Sequence, residues 1–140
     1  MRNVMLVCGL VLAAIWMQGC VVINTEEERV PSRPTTTEPG DVTIREIDAV
    51  AKLSFDNNRQ AGYQSIAQRE GLSDHAQVHL VEAVFKHLSF ENMKVDVLMT
   101  LIKNPCFSPA AKGAILERLD RLSFENHKTR ILEAINRRQA

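Results

Sequence analysis

The sequence predicts an all-α domain of about six short helices, arranged as three stacked helical hairpins. A pentapeptide recurs almost unchanged at residues 53–57, 88–92 and 122–126, at intervals of 35 and 34 residues. An apolar residue followed by serine marks five places with alternating long and short spacing, and apolar residues between them recur at helical intervals. A period near 35 with two helices per unit is typical of helical-hairpin arrays, in which stacked units together bury a continuous core.

Each apolar–serine pair predicts the start of a helix. A serine hydroxyl at the N-cap accepts a hydrogen bond from a backbone N–H of the first turn, and the preceding apolar residue can close the helix entrance. Acidic residues that follow within the first turn suit the helix dipole. The five serines expected to cap helices are Ser54, Ser73, Ser89, Ser108 and Ser123.

In chain order, the predicted helices cover residues 43–52, 56–70, 74–87, 91–103, 109–121 and 125–138. The first is expected to open at Thr43, because Glu46 stands at capping-box spacing from it. Gly71 and Asn104 provide stops after the second and fourth helices, and Pro109 suits the first position of the fifth. The domain is therefore expected to occupy residues 42–140.

The first stretch of the chain has the parts of a secretory signal. Arg2 precedes an uncharged apolar segment that runs from residue 4 to residue 17. The sequence that ends this segment, Met17-Gln18-Gly19-Cys20, resembles the cleavage box of a bacterial lipoprotein. The resemblance implies a signal peptide over residues 1–19, cleavage between Gly19 and Cys20, and acyl chains such as palmitate on Cys20. Two alternatives remain open: residues 4–23 as an uncleaved membrane-spanning helix, and plain secretion.

Residues 20–41 are expected to form the lipidated cysteine and a flexible linker. The stretch from residue 24 to residue 41 is rich in Pro, Thr and Glu and almost free of apolar residues, so it cannot offset its ordering entropy by burial. Acyl chains on Cys20 would anchor the protein firmly, because each buried methylene contributes about 0.8 kcal/mol. Val21 stands where an inner-membrane retention signal would have Asp, which favours the outer membrane of the cell envelope.

Composition excludes the simplest nucleic-acid binder, because 17 basic residues balance 17 acidic ones. Such proteins need a basic surplus to displace counterions from phosphates. No phosphate-binding loop or nucleophile–base pair can be recognised, so an enzyme is not predicted. Cys106 would be the one thiol left in a mature lipoprotein, and its place between apolar helices predicts a buried, inert side chain.

His75, His79 and Glu82 form the one set of possible metal ligands. Their spacing of four and three residues places them on one helix face, where they could hold zinc or copper. The pattern lacks the His-Glu-x-x-His signature, so these side chains are interpreted first as ordinary surface residues, and no cofactor is expected beyond the covalent lipid.

The repeats also resemble a known family. Units of the form apolar-Ser-Phe-acid-x-x-(Lys/Arg), each followed by an apolar run and a second apolar–serine helix start, cover about residues 44–138. They are similar to an uncharacterised bacterial family of short helical repeats, a domain of unknown function that often follows a secretion or lipoprotein signal. Since no activity is established for that family, the resemblance implies a fold and no reaction.

Together these features predict a membrane-tethered envelope lipoprotein whose domain is a non-enzymatic interaction or scaffold module. Its expected partners are the membrane, through the anchor, and another envelope protein or peptide. The alternative is a small metal- or ligand-binding envelope sensor that uses His75, His79 and Glu82.

Overall fold

The computed structural model of the protein describes residues 39–138, with side chains from Val42 onward. Its helices are α1 (Pro39–Ala51), α2 (Asp56–Ala67), α3 (Asp74–His87), α4 (Glu91–Lys103), α5 (Pro109–Leu116) and α6 (Glu125–Arg137). A 3₁₀ turn at Leu119–Arg121 separates α5 from α6, and no strand occurs between residues 39 and 138. The prediction of an all-α fold with six helices is confirmed. The predicted signal peptide, Cys20 and the linker up to residue 38 lie outside the described residues.

The helices form two layers. In one layer α3 packs between α1 and α5, and in the other α4 packs between α2 and α6. Successive pairs of helices therefore stack as three repeats, with one helix of each pair in each layer. Three loops lie where α2, α4 and α6 begin, and we call that side of the stack the amino edge (residues 52–57, 86–92 and 121–126). We call the side where these helices end the carboxyl edge (residues 67–73, 103–108 and 137–138).

One hydrophobic core runs through all three repeats. The predicted apolar positions supply most of it, and the second helix contributes Tyr63, Ile66 and Ala67. Leu132 of α6 is 38% exposed. Among residues 39–138, no helix is both long and apolar enough to cross a lipid bilayer.

The first, second and fifth helices differ most from their predicted bounds, and α2 ends at Ala67 rather than at residue 70. Helix α1 begins at Pro39, so Thr43 lies within the helix and Glu46 pairs with Arg69 at the end of α2. Proline fits a first turn because its missing N–H has no helical partner there. Helix α5 ends at Leu116, because the Arg118 side chain donates to the carbonyl of Ala114 while the Arg118 backbone N–H donates to Ile115. Those bonds tighten the chain into the 3₁₀ turn.

The third repeat has a polar outer face. Four positions of α4 are apolar and buried: Val95, Leu98, Met99 and Ile102. The equivalent residues of α6, which come 34 positions later, are all exposed: Thr129, Leu132, Glu133 and Asn136. Since α6 covers α4 and no described element covers α6, three polar residues suit the end of the stack. Terminal units of repeat proteins commonly have such a polar outer face.

Candidate functional site

The three proposed metal ligands do not form a site. His79 pairs with Asp48 of α1, Nε2 to Oδ1 at 2.8 Å, and Glu82 pairs with Arg118, Oε1 to Nη2 at 2.7 Å. His75 is exposed on the first turn of α3. Within the described part of the chain, no group of three His, Cys, Asp or Glu residues could hold a metal ion. His79 and Glu82 instead connect α3 to its two neighbours in the same layer.

The acids of the first two pentapeptides each reach the next copy of the pentapeptide. Asp56 Oδ2 accepts the backbone N–H of Ser89 at 2.8 Å. One repeat later, Glu91 accepts the N–H groups of Ser123 and Phe124, each at 2.9 Å, and lies 3.0 Å from Nδ1 of His127. Each acid thereby satisfies N–H groups that the beginning of a helix leaves without an intrahelical acceptor. We call this series the acid ladder (Asp56, Glu91 and their acceptor bonds).

Both ladder acids are stabilised in the ionised form. The N–H of Ser89 lowers the pKa of Asp56 below its usual 3.8; burial opposes that shift, and the side chains of Ser89 and Arg59 add to it. Burial raises the pKa of Glu91, but the N–H groups of Phe124 and Ser123, with His127, outweigh it and bring the pKa below the usual 4.5. A carboxylate that accepts several N–H bonds favours its charged state. The two acids therefore remain charged at neutral pH.

A second ladder connects the same helices at the carboxyl edge. The side-chain amide of Asn104 donates to the carbonyl oxygens of Ala67 and Arg69, at 2.8 and 2.7 Å. Arg138, 34 residues later, donates to the carbonyls of Ile102 and Asn104 and, at 3.0 Å, to that of Pro105. Each repeat thus provides a side-chain donor for the end of the even-numbered helix before it. We call this series the amide ladder (Asn104, Arg138 and their donor bonds).

Two of the five serines predicted as caps do cap helices. Oγ of Ser73 accepts the N–H of Ala76 at 3.2 Å, and Oγ of Ser108 accepts that of Ala111 at 3.1 Å. For Ser54, Ser89 and Ser123 the prediction is wrong. The N-cap of each helix is the phenylalanine that follows, and its side chain makes no capping bond. In the second and third copies of the pentapeptide, the acid ladder accepts the backbone N–H of the serine itself.

Leucine and phenylalanine have opposite roles within the second and third copies of the pentapeptide. Leu88 and Leu122 are 3% and 1% exposed and pack in the core. The phenylalanines two positions later are among the most exposed large apolar side chains between residues 42 and 138: Phe55 at 69%, Phe90 at 59% and Phe124 at 59%. Phe124 makes an edge-to-face contact with His127, with ring centroids 5.5 Å apart. Contiguous exposed apolar surface on a soluble domain commonly marks an interaction site.

These rings form a row along the amino edge, which we call the aromatic row (Phe55, Phe90 and Phe124). The acid ladder holds the row together, because the residue after Phe55 binds Ser89, and the residue after Phe90 binds the N–H of Phe124. Each ring therefore projects from the beginning of one even-numbered helix, at a position that recurs in every repeat. The row is the strongest candidate for a functional surface.

The opposite edge contains clefts rather than a row of rings. An open cleft of about 320 Å³ lies between Phe107, Lys112, Ile135 and Arg138. The loop beside it is held by Gln77, whose side chain is buried and donates to the carbonyls of Leu72 and Cys106, each at 2.9 Å. These bonds fix the backbone of Cys106 and leave its free thiol exposed, so the expectation of a buried cysteine is wrong.

In comparisons with known proteins, no family model, no curated protein and no solved structure matches the chain. The resemblance of its repeats to the uncharacterised bacterial family, and of residues 17–20 to a lipoprotein cleavage box, thus stays a prediction.

Sequence reasoning identified the repeated pentapeptide but assigned its parts incorrectly. In all three copies the serine was expected to cap a helix, a role that its side chain does not have in the structure. No helix periodicity distinguishes the leucine from the phenylalanine, because Leu88 and Phe90 lie in the extended loop between α3 and α4. The structure buries the leucine and leaves the phenylalanine exposed.

Proposed function

We propose that the protein is a membrane-tethered lipoprotein of the cell envelope whose helical stack binds another envelope protein and performs no catalysis itself. The observation that carries the interaction role is the aromatic row, with one exposed phenylalanine per repeat at the same edge. Aromatic side chains are enriched where protein interfaces concentrate their binding energy.

The aromatic row has no evident part in holding the fold together. Leu88 and Leu122 provide the apolar contact of the pentapeptide, and Asp56 and Glu91 connect its backbone to the previous repeat. Retaining a large apolar side chain in water at three equivalent positions favours association with a partner. Docking of a partner would remove these rings from water and supply the burial that the fold does not.

The tether rests on the sequence alone. Residues 1–19 have the features of a signal peptide, and Cys20 follows Gly19 as in lipoproteins. The acyl chains would fix the protein to the membrane, with the outer membrane favoured by Val21, and the linker would let the domain reach its partner. A chain held at a surface meets other tethered proteins at a raised effective concentration, which increases apparent affinity.

Site-specific photocrosslinking tests the interaction. A photoreactive phenylalanine analogue is placed at Phe90 in the full-length protein and irradiated in intact cells. We expect a discrete protein adduct from position 90 and from positions 55 and 124. The matched control is the same analogue at Leu132, an exposed apolar residue of α6 outside the row. Equal adducts at position 132, or none at the three row positions, would refute the proposed function.

The anchor has a separate test. Intact mass measurement of the mature amino terminus is expected to show acylated Cys20, and Cys20→Ala is expected to release the protein from membranes or block its processing. Recovery of the unprocessed chain from wild-type cells would instead favour residues 4–23 as an uncleaved helix. A processed, unacylated chain would favour plain secretion.

A further inference from the structure

The aromatic row is accompanied by a row of amide side chains. Asn57, Asn92 and Asn126 come two residues after the three phenylalanines, and all three are exposed. None of their side chains forms a hydrogen bond with another residue of the described range 42–138. An asparagine side chain has two N–H donors and a carbonyl acceptor, which together complement a peptide group. The row thus repeats the same peptide-binding chemistry in each repeat.

A row of basic side chains comes just before the rings. Lys52, Lys86 and Arg121 precede the three phenylalanines by three or four residues and are exposed. Within the described range, none of the three pairs with a carboxylate. Unpaired cations at regular intervals favour a partner with acidic side chains.

Most acidic side chains of the amino edge already have hydrogen-bond or ion-pair partners within the domain. Asp56 and Glu91 belong to the acid ladder, and Glu125 pairs with Lys128 at 2.6 Å. Asp120, beside Arg121, is exposed. The exposed ends of the three loops therefore present more positive than negative charge.

The repeat spacing matches an extended chain. Packed helices lie about 8–10 Å apart, so neighbouring rings of the row are separated by about that distance. An extended polyproline II segment rises about 3.1 Å per residue with three residues per turn, so one turn covers one repeat and side chains three positions apart share one face. A segment of about nine residues would span all three repeats.

We propose that the amino edge binds an extended acidic segment of the partner protein, an inference that rests on the proposed function. An apolar side chain at every third position would contact the aromatic row, carboxylates would pair with Lys52, Lys86 and Arg121, and the asparagines would bond the peptide backbone. The specificity comes from the periodicity: apolar and acidic residues must alternate in the register of the stack.

A bilayer surface fits these features less well. Lipid headgroups present no run of peptide groups for three regularly spaced asparagines. In addition, α1 starts at the carboxyl edge, and its 13 residues place that entry point about 20 Å from the amino edge. Residue 39, where the described chain begins, therefore lies on the side away from the aromatic row.

A displayed library of random peptides of about twelve residues, long enough to span the stack, tests the proposal. The full-length protein is presented in nanodiscs of phosphatidylcholine. We expect enriched peptides to carry apolar residues at intervals of three with Asp or Glu between them. A synthetic peptide of that pattern should lose about tenfold or more in affinity on Phe90→Ala, and similarly on the combined change K52E, K86E and R121E. Its affinity should fall with added salt.

Leu132→Ala serves as the matched control and should leave the affinity unchanged, while circular dichroism verifies that every variant remains folded. Enrichment without acidic residues, or affinities unaltered in both sets of variants, overturns the proposal. The proposal is also overturned if no peptide is enriched and the protein binds vesicles containing phosphatidylglycerol in a way that the edge variants lose. If the photocrosslinks form and the peptides fail, the interaction role stands and only the extended acidic partner is wrong.

Discussion

Asp56 Oδ2 accepts the backbone N–H of Ser89 at 2.8 Å, so an acid at the start of one helix satisfies the start of the next helix in its layer. Glu91 repeats the arrangement with Ser123 and Phe124. The third acid of the series, Glu125, has no following repeat among the described residues and is 83% exposed. The acidic residue of the pentapeptide thus has a structural role in two copies and is exposed to solvent in the third.

This difference predicts unequal effects of one substitution. Asp56→Ala should lower the free energy of unfolding by about 1 kcal/mol, similar to loss of an N-cap, because the N–H of Ser89 loses its acceptor. Glu91→Ala should also lower the free energy of unfolding, because the N–H groups of Ser123 and Phe124 lose their acceptor. Glu125→Ala removes only a surface pair with Lys128 and should change stability by less than about 0.5 kcal/mol. Urea denaturation of the three variants checks the order, and equal losses at all three positions would contradict the acid ladder.

The helices could be predicted because their signals are local. Capping by Ser73 and Ser108 and the apolar spacing of α3 and α4 depend on residues within one helix. The ladders could not be predicted, because the bond from Ser89 to Asp56 requires the register between two repeats, which no short segment contains. That register also explains why Ser89 does not cap. The carboxylate of the preceding repeat already accepts its N–H, and the N-cap of α4 is the next residue, Phe90.

The amide ladder predicts a second graded series at the carboxyl edge. Asn104 is 5% exposed, and Asn104→Ala would leave the carbonyls of Ala67 and Arg69 and the N–H of Cys106 without their side-chain partner. We expect a loss of about 2–3 kcal/mol, because unpaired buried polar groups are costly. Gln68 is the C-cap residue of α2, as Asn104 is of α4, but it is exposed, so Gln68→Ala should be nearly neutral. Thermal unfolding of both variants makes the comparison, and a neutral Asn104→Ala would argue against the ladder.

The serines should divide into two classes. Ser73→Ala and Ser108→Ala remove hydroxyls that accept N–H bonds and should each cost about 0.5–2 kcal/mol. Ser89→Ala and Ser123→Ala leave the backbone N–H bonds to the acid ladder intact, so each should change stability by less than about 0.5 kcal/mol. Chemical denaturation distinguishes the classes. A large loss at Ser89 or Ser123 would restore the capping role that the sequence suggested.

Stability should decline in acid through the two ladder carboxylates. Their folded pKa values lie below the usual 3.8 for Asp56 and 4.5 for Glu91, so the unfolded chain binds more protons as the pH falls past these values. Their contribution is complete above the unfolded pKa values and disappears as the pH falls through the folded ones. Combining D56N with E91Q should therefore flatten the fall in unfolding free energy below about pH 4.5. Denaturation midpoints measured from neutral to acid pH check this, and E125Q provides the control that should keep the wild-type slope.

The division between leucine and phenylalanine gives the test that separates fold from function. Leu88→Ala and Leu122→Ala each remove a buried side chain from the core and should cost about 2–5 kcal/mol. Phe90→Ala and Phe124→Ala remove exposed rings and should change stability by less than about 0.5 kcal/mol, while weakening photocrosslinking or peptide binding. Leu53 of the first repeat is 40% exposed, so Leu53→Ala should lower the free energy of unfolding by less than either core-leucine variant. Denaturation and binding measured on the same preparations decide the matter: if Phe90→Ala unfolds the domain, the ring is part of the fold, and the aromatic row cannot be treated as a free binding surface.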